Sequence, residues 1–296
     1  MTDSSLSLYN CAESKEVTVR IVTDSTADIP PQVAKELGIW VIPLYVHFGS
    51  EVYRDGVDLS AAEFYQKLRS SKSLPTTASV SPSEFAQVCD QLAEHTDEVL
   101  AIMISAKMSS TYDVASQGKE LRKRKYCRVE LIDSQLVLMA LGLIVIAAAK
   151  EAQAGANLDQ VIDMVRRATP KVHARMAFDT LDYLRKGGRI GAAQALLGPL
   201  LSFKPILTIK DGIATPVARE RTWAKAVEHL QRFARSFSNI REMAVEYTTV
   251  PEEATALAEY LDDIFPKERI YISTVGAVTG THLGPGALGV GVLEGD

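Results

Sequence analysis

Cysteine is scarce in this 296-residue chain: three residues, Cys11, Cys89 and Cys127, stand far apart with no Cys-x-x-Cys spacing. That excludes a disulfide framework, a zinc site built on cysteine pairs and a dithiol redox motif, and it fits a reducing, cytoplasmic setting. Long apolar runs are missing too. The most hydrophobic window, residues 136–149, spans about fourteen residues, short of the eighteen or more of a transmembrane helix, so it reads as a buried helix packed on a sheet. Positive charge is not in excess either. A formal net charge of −5 gives no general attraction for nucleic-acid backbones or anionic lipid. The one basic run, Arg122, Lys123, Arg124 and Lys125 with Arg128, closes a predicted helix, where cations offset the negative end of the dipole, and reads as a solvated face. Residues 1–16 lack the basic region and apolar stretch of a signal peptide and read as a frayed tail. No Walker loop, Gly-x-Ser-x-Gly, His-Glu-x-x-His or dinucleotide Gly-x-Gly-x-x-Gly occurs.

What is there is an ordinary globular composition, 47% hydrophobic and 23% charged, so a packed core is expected throughout. The length exceeds what one core usually fills, which predicts two α/β domains, residues 17–160 and 161–296, with the ligand site between them. The first domain repeats one theme: an apolar β-branched run ending in small hydroxyl residues that open a helix, the pattern of a parallel sheet. Residues 17–22 lead into Thr23-Asp24-Ser25-Thr26, residues 99–104 into Ser105 through Thr111, and residues 129–132 into Asp133-Ser134. Ser60 with Glu63 and Ser81 with Glu84 are capping boxes, the second with Pro82 at the first helical position. Residues 41–48 and 51–53 read as two strands joined at Gly49. The second domain carries a hairpin at Lys210-Asp211-Gly212 and helices near 158, 222–236 and 251–265. Strands near 243–247, 270–275 and 287–293 alternate with them, which predicts a mixed or antiparallel sheet.

Ligands of open parallel sheets bind at the carboxyl ends of strands, where helix N-termini favour an anion. The densest donor cluster there is Ser105-Ala106-Lys107-Met108-Ser109-Ser110-Thr111, suited to a carboxylate or phosphate, although helix capping alone accounts for one such cluster. A second candidate is the glycine-rich loop Gly280-Thr281-His282-Leu283-Gly284-Pro285-Gly286, whose glycines allow close approach and whose histidine donates or accepts. A third, Arg185-Lys186-Gly187-Gly188-Arg189, is by itself a basic turn leading to the Ala- and Leu-rich residues 192–201.

These stretches, in order with Val22-Thr23-Asp24-Ser25, residues 77–85, Ile104 to Tyr112, Asp133-Ser134 and Leu184 to Ile190, make the chain resemble the bacterial DegV family. Members of that family bind a fatty acid between two α/β domains. The resemblance implies a DegV-like fold, a long-chain fatty acid such as palmitate as ligand, no other cofactor and no metal. It also implies a carboxylate site on Thr77, Ser109 and His282, with Ser110, Thr111, Gly280 and Thr281 beside them. The chain departs from the family's Thr-Ser-x-Pro-Ser motif at Ala78 and Val80, and Ser110 stands where glycine is usual. Some members present the acid to a separate ATP-dependent kinase, so Arg189, Arg219 and Arg221 are candidate partner contacts and no catalytic residue is assigned. Two rivals stay open: a serine-dependent lipid hydrolase or acyltransferase with Ser109 as nucleophile, His282 as base and Asp24 or Asp133 orienting it, and a phosphosugar or nucleotide enzyme.

Overall fold

The computed structural model describes residues 19–196 and 203–295. The tail with Cys11, the expected strand start at Val17, residues 197–201 of the Ala- and Leu-rich segment and the terminal Asp296 lie outside the described residues. The first part runs β1 (Val19–Asp24), α1 (Pro31–Glu36), β2 (Trp40–Ile42), β3 (Tyr45–Phe48), β4 (Glu51–Arg54) and α2 (Ala61–Ser70). It continues through β5 (Thr76–Ala78), α3 (Pro82–Leu92), β6 (Glu98–Met103), α4 (Thr111–Leu121), β7 (Arg128–Asp133) and α5 (Leu138–Gln153). The second part runs α6 (Leu158–Ala168), β8 (Val172–Phe178), α7 (Asp182–Lys186), β9 (Lys204–Lys210), β10 (Ile213–Glu220) and α8 (Trp223–Ala234). It closes with β11 (Ile240–Tyr247), α9 (Pro251–Tyr260), β12 (Tyr271–Thr274), α10 (Ala277–Leu283) and β13 (Ala287–Glu294).

β2, β1, β6 and β7 form, in that order, the expected parallel sheet. Alternate residues of its central strands enter two cores, Ile21, Leu100 and Ile102 on one face and Val22, Val99 and Ala101 on the other, as a sheet covered on both sides requires. The stretch 41–48 is not one strand. Pro43, which has no N–H for a ladder, breaks it, so β2 edges the parallel sheet while β3 joins β4 and β5 in a small antiparallel sheet. Both capping boxes form: Ser60 Oγ accepts the Glu63 N–H at 3.3 Å and Ser81 Oγ that of Glu84 at 3.2 Å, each glutamate reaching back.

The second sheet has the order β10-β9-β8-β13-β11-β12 and is mixed, parallel at β11–β12 and antiparallel elsewhere. Its β9–β10 hairpin turns on Asp211 and Gly212, at φ 53° and 78°. Helix α5 lies between the two sheets. A single core runs from Ile21 and Ile102 through Leu141, Leu143, Ile144 and Val145 of α5 to Met176, Phe178 and Ala244 of the six-stranded sheet. A helix that is apolar all round is the natural solution for a layer enclosed on both sides. The basic run is not a uniformly solvated face. Arg122 is buried, its guanidinium donating to the Lys119 and Cys127 carbonyls, while the Lys123 and Arg124 N–H groups bind the Asp90 carboxylate.

Candidate functional site

At the carboxyl ends of β1 and β6 the described residues enclose a cavity of about 130 Å³. Its polar wall includes Thr77, Ser109, Ser110, Arg189 and His282, drawn from four separate stretches of chain, and its apolar wall includes Leu44, Ile104, Met108, Val137 and Leu283. Thr77 sits on β5 opposite Val46, and its Oγ1 lies 3.1 Å from His282 Nε2. His282 is partly buried, and burial, aided by the positive charge of Arg189, lowers its pKa from 6.5 to about 4. The imidazole is therefore neutral at pH 7. Its Nδ1 is buried without a partner. An orphaned acceptor is tolerated better than an orphaned N–H, so the proton belongs on Nε2, donated to Thr77, and the Thr77 hydroxyl is left to donate elsewhere. Gly187 makes room for this ring, since a Cβ there would stand 2.3 Å from Nδ1.

Ser109 precedes α4 and is held by its neighbours. Its N–H donates to Ser105, its Oγ accepts the Thr111 N–H at 3.2 Å, and the two hydroxyls are 2.7 Å apart. If the Thr111 hydroxyl donates across that pair, the Ser109 hydrogen is free to point at a ligand. Thr111 itself is buried and supports Ser109 from behind the wall. Ser110, at φ −74° and ψ 1°, occupies backbone space open to any residue and needs no glycine. The Ser105 Oγ donates to Gly212 and Lys107 Nζ to Asp211, so the β9–β10 hairpin tip docks on the same loop.

Gly280, Thr281 and His282 are not in a loop. They form part of α10, and the chain turns after it at Gly284 and Gly286, at φ 70° and 75°. Gly280 serves packing, because a Cβ would meet Tyr65 Oη at 2.6 Å and Phe64 at 2.8 Å. Thr281 bonds back to the Ala277 carbonyl at 2.9 Å. Neither lines the cavity. Helix α10 starts at Gly276 with no side-chain cap of its own. Its free N–H groups bind two carboxylates from the first part of the chain: Asp28 accepts Gly276 N–H and Asp55 accepts Ala277 N–H, both at 2.8 Å, and Thr279 donates to Asp28 at 2.9 Å. Burial raises the Asp55 pKa from 3.8 to about 6 and, with the charge of Asp55, raises that of Asp28 well above its ordinary value. These two aspartates place His282.

Arg189 is at the exposed rim of the cavity, its Nε 3.2 Å from the Met108 carbonyl and its Nη1 2.9 Å from that of Gly187. Arg219 and Arg221 lie apart from it, exposed at the end of β10 and just beyond. The geometry does not assemble a Ser-His-Asp set among the described residues: His282 bonds to Thr77, and Ser109 to Thr111. The Asp24 carboxylate binds Thr26 and the Ile104 N–H, joining the ends of β1 and β6, while Asp133 binds Ala106 and Gln135. Among the described residues no group of three or more His, Cys, Asp or Glu is placed to hold a metal ion, and no helix is long and apolar enough to cross a membrane.

Residues 18–295 match the family model described as "Uncharacterised protein, DegV family". A DegV domain-containing protein of Deinococcus radiodurans is 37% identical over 279 residues, covering 93% of this chain and 98% of that protein. The solved structure presented as fatty acid binding of a DegV family protein from Thermus thermophilus superposes with a TM-score of 0.85 at 33% identity, over 94% of this chain and 99% of that one. DegV from Bacillus subtilis, described as a fatty acid binding protein, gives a TM-score of 0.83 at 31% identity, over 94% and 99% of the two chains.

Proposed function

Because the chain belongs to the DegV family, we propose that it binds a long-chain fatty acid, holding the carboxylate on Thr77 and Ser109 and laying the tail along the apolar wall. The observation that carries this reading is the convergence of Thr77, Ser109 and His282, far apart in sequence, on one cavity with an apolar side. A carboxylate needs two or three donors; the Thr77 and Ser109 hydroxyls are each held by a neighbour, and with His282 Nε2–H and the Thr111 hydroxyl donating to them each keeps a hydrogen for the ligand. The N-terminus of α4, to which Ser110 gives no side-chain cap, and Arg189 at the rim favour the same charge. Arg189, a candidate partner contact, is thus also placed to attract the ligand's head group.

The cavity, about 130 Å³, is close to the roughly 150 Å³ that admits one benzene, enough for a head group and the start of a chain. The rest of the tail takes its room by moving adaptable side chains such as Met108. Each methylene buried contributes about 0.8 kcal/mol, so the tail supplies the affinity and the head group the orientation.

In this reading the protein works in the cytoplasm, divides into units at about residue 160, and offers the bound acid to a separate ATP-dependent fatty-acid kinase. The exposed Arg219 and Arg221 are the candidate contacts for that partner. Organic extraction of natively purified protein followed by mass spectrometry tests the central claim: a long-chain acid is expected. Folded protein that carries no acyl ligand and takes none up from solution would refute it. Pull-down with a fatty-acid kinase, with and without Arg219→Ala and Arg221→Ala, tests the partner.

A further inference from the structure

The cavity holds a polar group that the head-group site described above leaves unused. Ser79 lines it, and the Ser79 Oγ is buried with no hydrogen-bond partner. Its place follows from the strand: Thr77 on β5 pairs with the fully buried Val46, and Ser79, one residue past the end of β5, lines the cavity together with Thr77 and Ala78. The segment is fixed on both sides of it: Val80 is buried, and Ser81 caps α3 in a capping box.

A buried hydroxyl with no partner opposes folding, because it has given up water and gained nothing. Such a group is kept where something else supplies its partner. The cavity already gathers donors for a carboxylate, and a carboxylate has more lone pairs than Thr77 and Ser109 fill. We propose that the Ser79 hydroxyl donates to the ligand's carboxylate, and that it makes the pocket select an ionised acid over a neutral head group of the same chain length. This rests on the fatty-acid reading above. It also gives the departure at Ala78 a physical answer: the missing hydroxyl at that position is replaced by one at the next, which lines the same cavity.

The selection has a simple origin. A neutral alcohol or ester accepts weakly and keeps contact with Thr77 and Ser109, whereas the anion gains a charge-assisted bond from each added donor. Removing one such donor is therefore felt by the acid and hardly by the alcohol.

The test compares the full chain, stripped of lipid, with its Ser79→Ala variant by calorimetric titration with hexadecanoate and with hexadecanol. The variant is expected to lose about tenfold in affinity for hexadecanoate and less than about twofold for hexadecanol. Its melting temperature without ligand should equal or exceed that of the parent, because the deleted hydroxyl is unpaired there. A hexadecanoate affinity within twofold of the parent overturns the proposal, and so does an equal loss for acid and alcohol, which would mark a tail or packing effect. If Ser79→Ala fails to fold, Ser79→Cys, with its poor donor in the same shape, is judged by the same ratios. A parent protein that takes up no hexadecanoate sinks the fatty-acid reading itself, an outcome distinct from a parent that binds and a variant that binds equally well.

Discussion

Replacing Glu246 with glutamine is expected to stabilise the protein at pH 8 and to leave it nearly unchanged at pH 4.5. Glu246 lies on β11, fully buried, and its Oε2 accepts the Met139 N–H in the first turn of α5 at 2.9 Å. Burial raises its pKa from 4.5 to about 7, against the opposing pull of that bond. The folded state thus holds its proton more tightly than the unfolded chain. Below pH 4.5 both states are protonated and the group contributes nothing; between 4.5 and 7 the unfolded chain ionises first and stability falls as pH rises; above 7 the loss is complete. Each pH unit of that span is worth about 1.4 kcal/mol, so the loss is about 3 kcal/mol. Glutamine keeps an oxygen for Met139 and has no proton to lose. Urea unfolding of the full chain and of Glu246→Gln across this range measures the difference directly. A difference that stays flat within about 0.5 kcal/mol from pH 4.5 to pH 8 would refute the claim that this carboxyl sits in a medium too dry to charge it.

Thr77→Val keeps the branched shape of the side chain and removes the hydroxyl, and should lower fatty-acid affinity about tenfold in a fluorescence displacement assay. Gly187→Ala places a Cβ 2.3 Å from His282 Nδ1, so the ring must move; a loss of about 1–3 kcal/mol is expected, together with weaker ligand binding, read by melting with and without hexadecanoate. Arg189→Gln removes a charge that helps hold the His282 pKa at about 4; the pKa should rise in an NMR titration of the ring protons and remain below 6.5, since burial is the larger cause. The same variant should associate with fatty acid more slowly at low salt and lose the salt dependence of the parent.

Features with local causes were legible from the chain alone. The boxes at Ser60 and Ser81 and the turn at Asp211-Gly212 depend on residues within three or four positions, and they form as written. The parallel sheet was legible because the apolar strands β1, β6 and β7 each run into a hydroxyl residue, Ser25, Ser105 and Ser134. What escaped depends on distant groups. Helix α10 looked like a loop because it opens on Gly276, whose place is filled by Asp28 and Asp55, more than 200 residues away. Arg122 looked solvated because a basic run hides which member turns inward to the Cys127 carbonyl. Ser79 gives no signal of its own, because the short strand β5 that brings Thr77 to the cavity is set by pairing with the distant β3. The break at Pro43, by contrast, was visible, as a residue unable to donate in the middle of an assumed strand.

Helix α5 belongs to both sheets at once, and Val137, just before its first turn, is part of the cavity wall. A piece of the gene ending near residue 160 would encode a sheet with its helix but leave Met176, Phe178 and Ala244 of the other half facing water. Neither half could therefore be traded between genes as a self-sufficient module. A substitution at a buried position of that shared helix, such as Ile144, would be felt in both sheets at once.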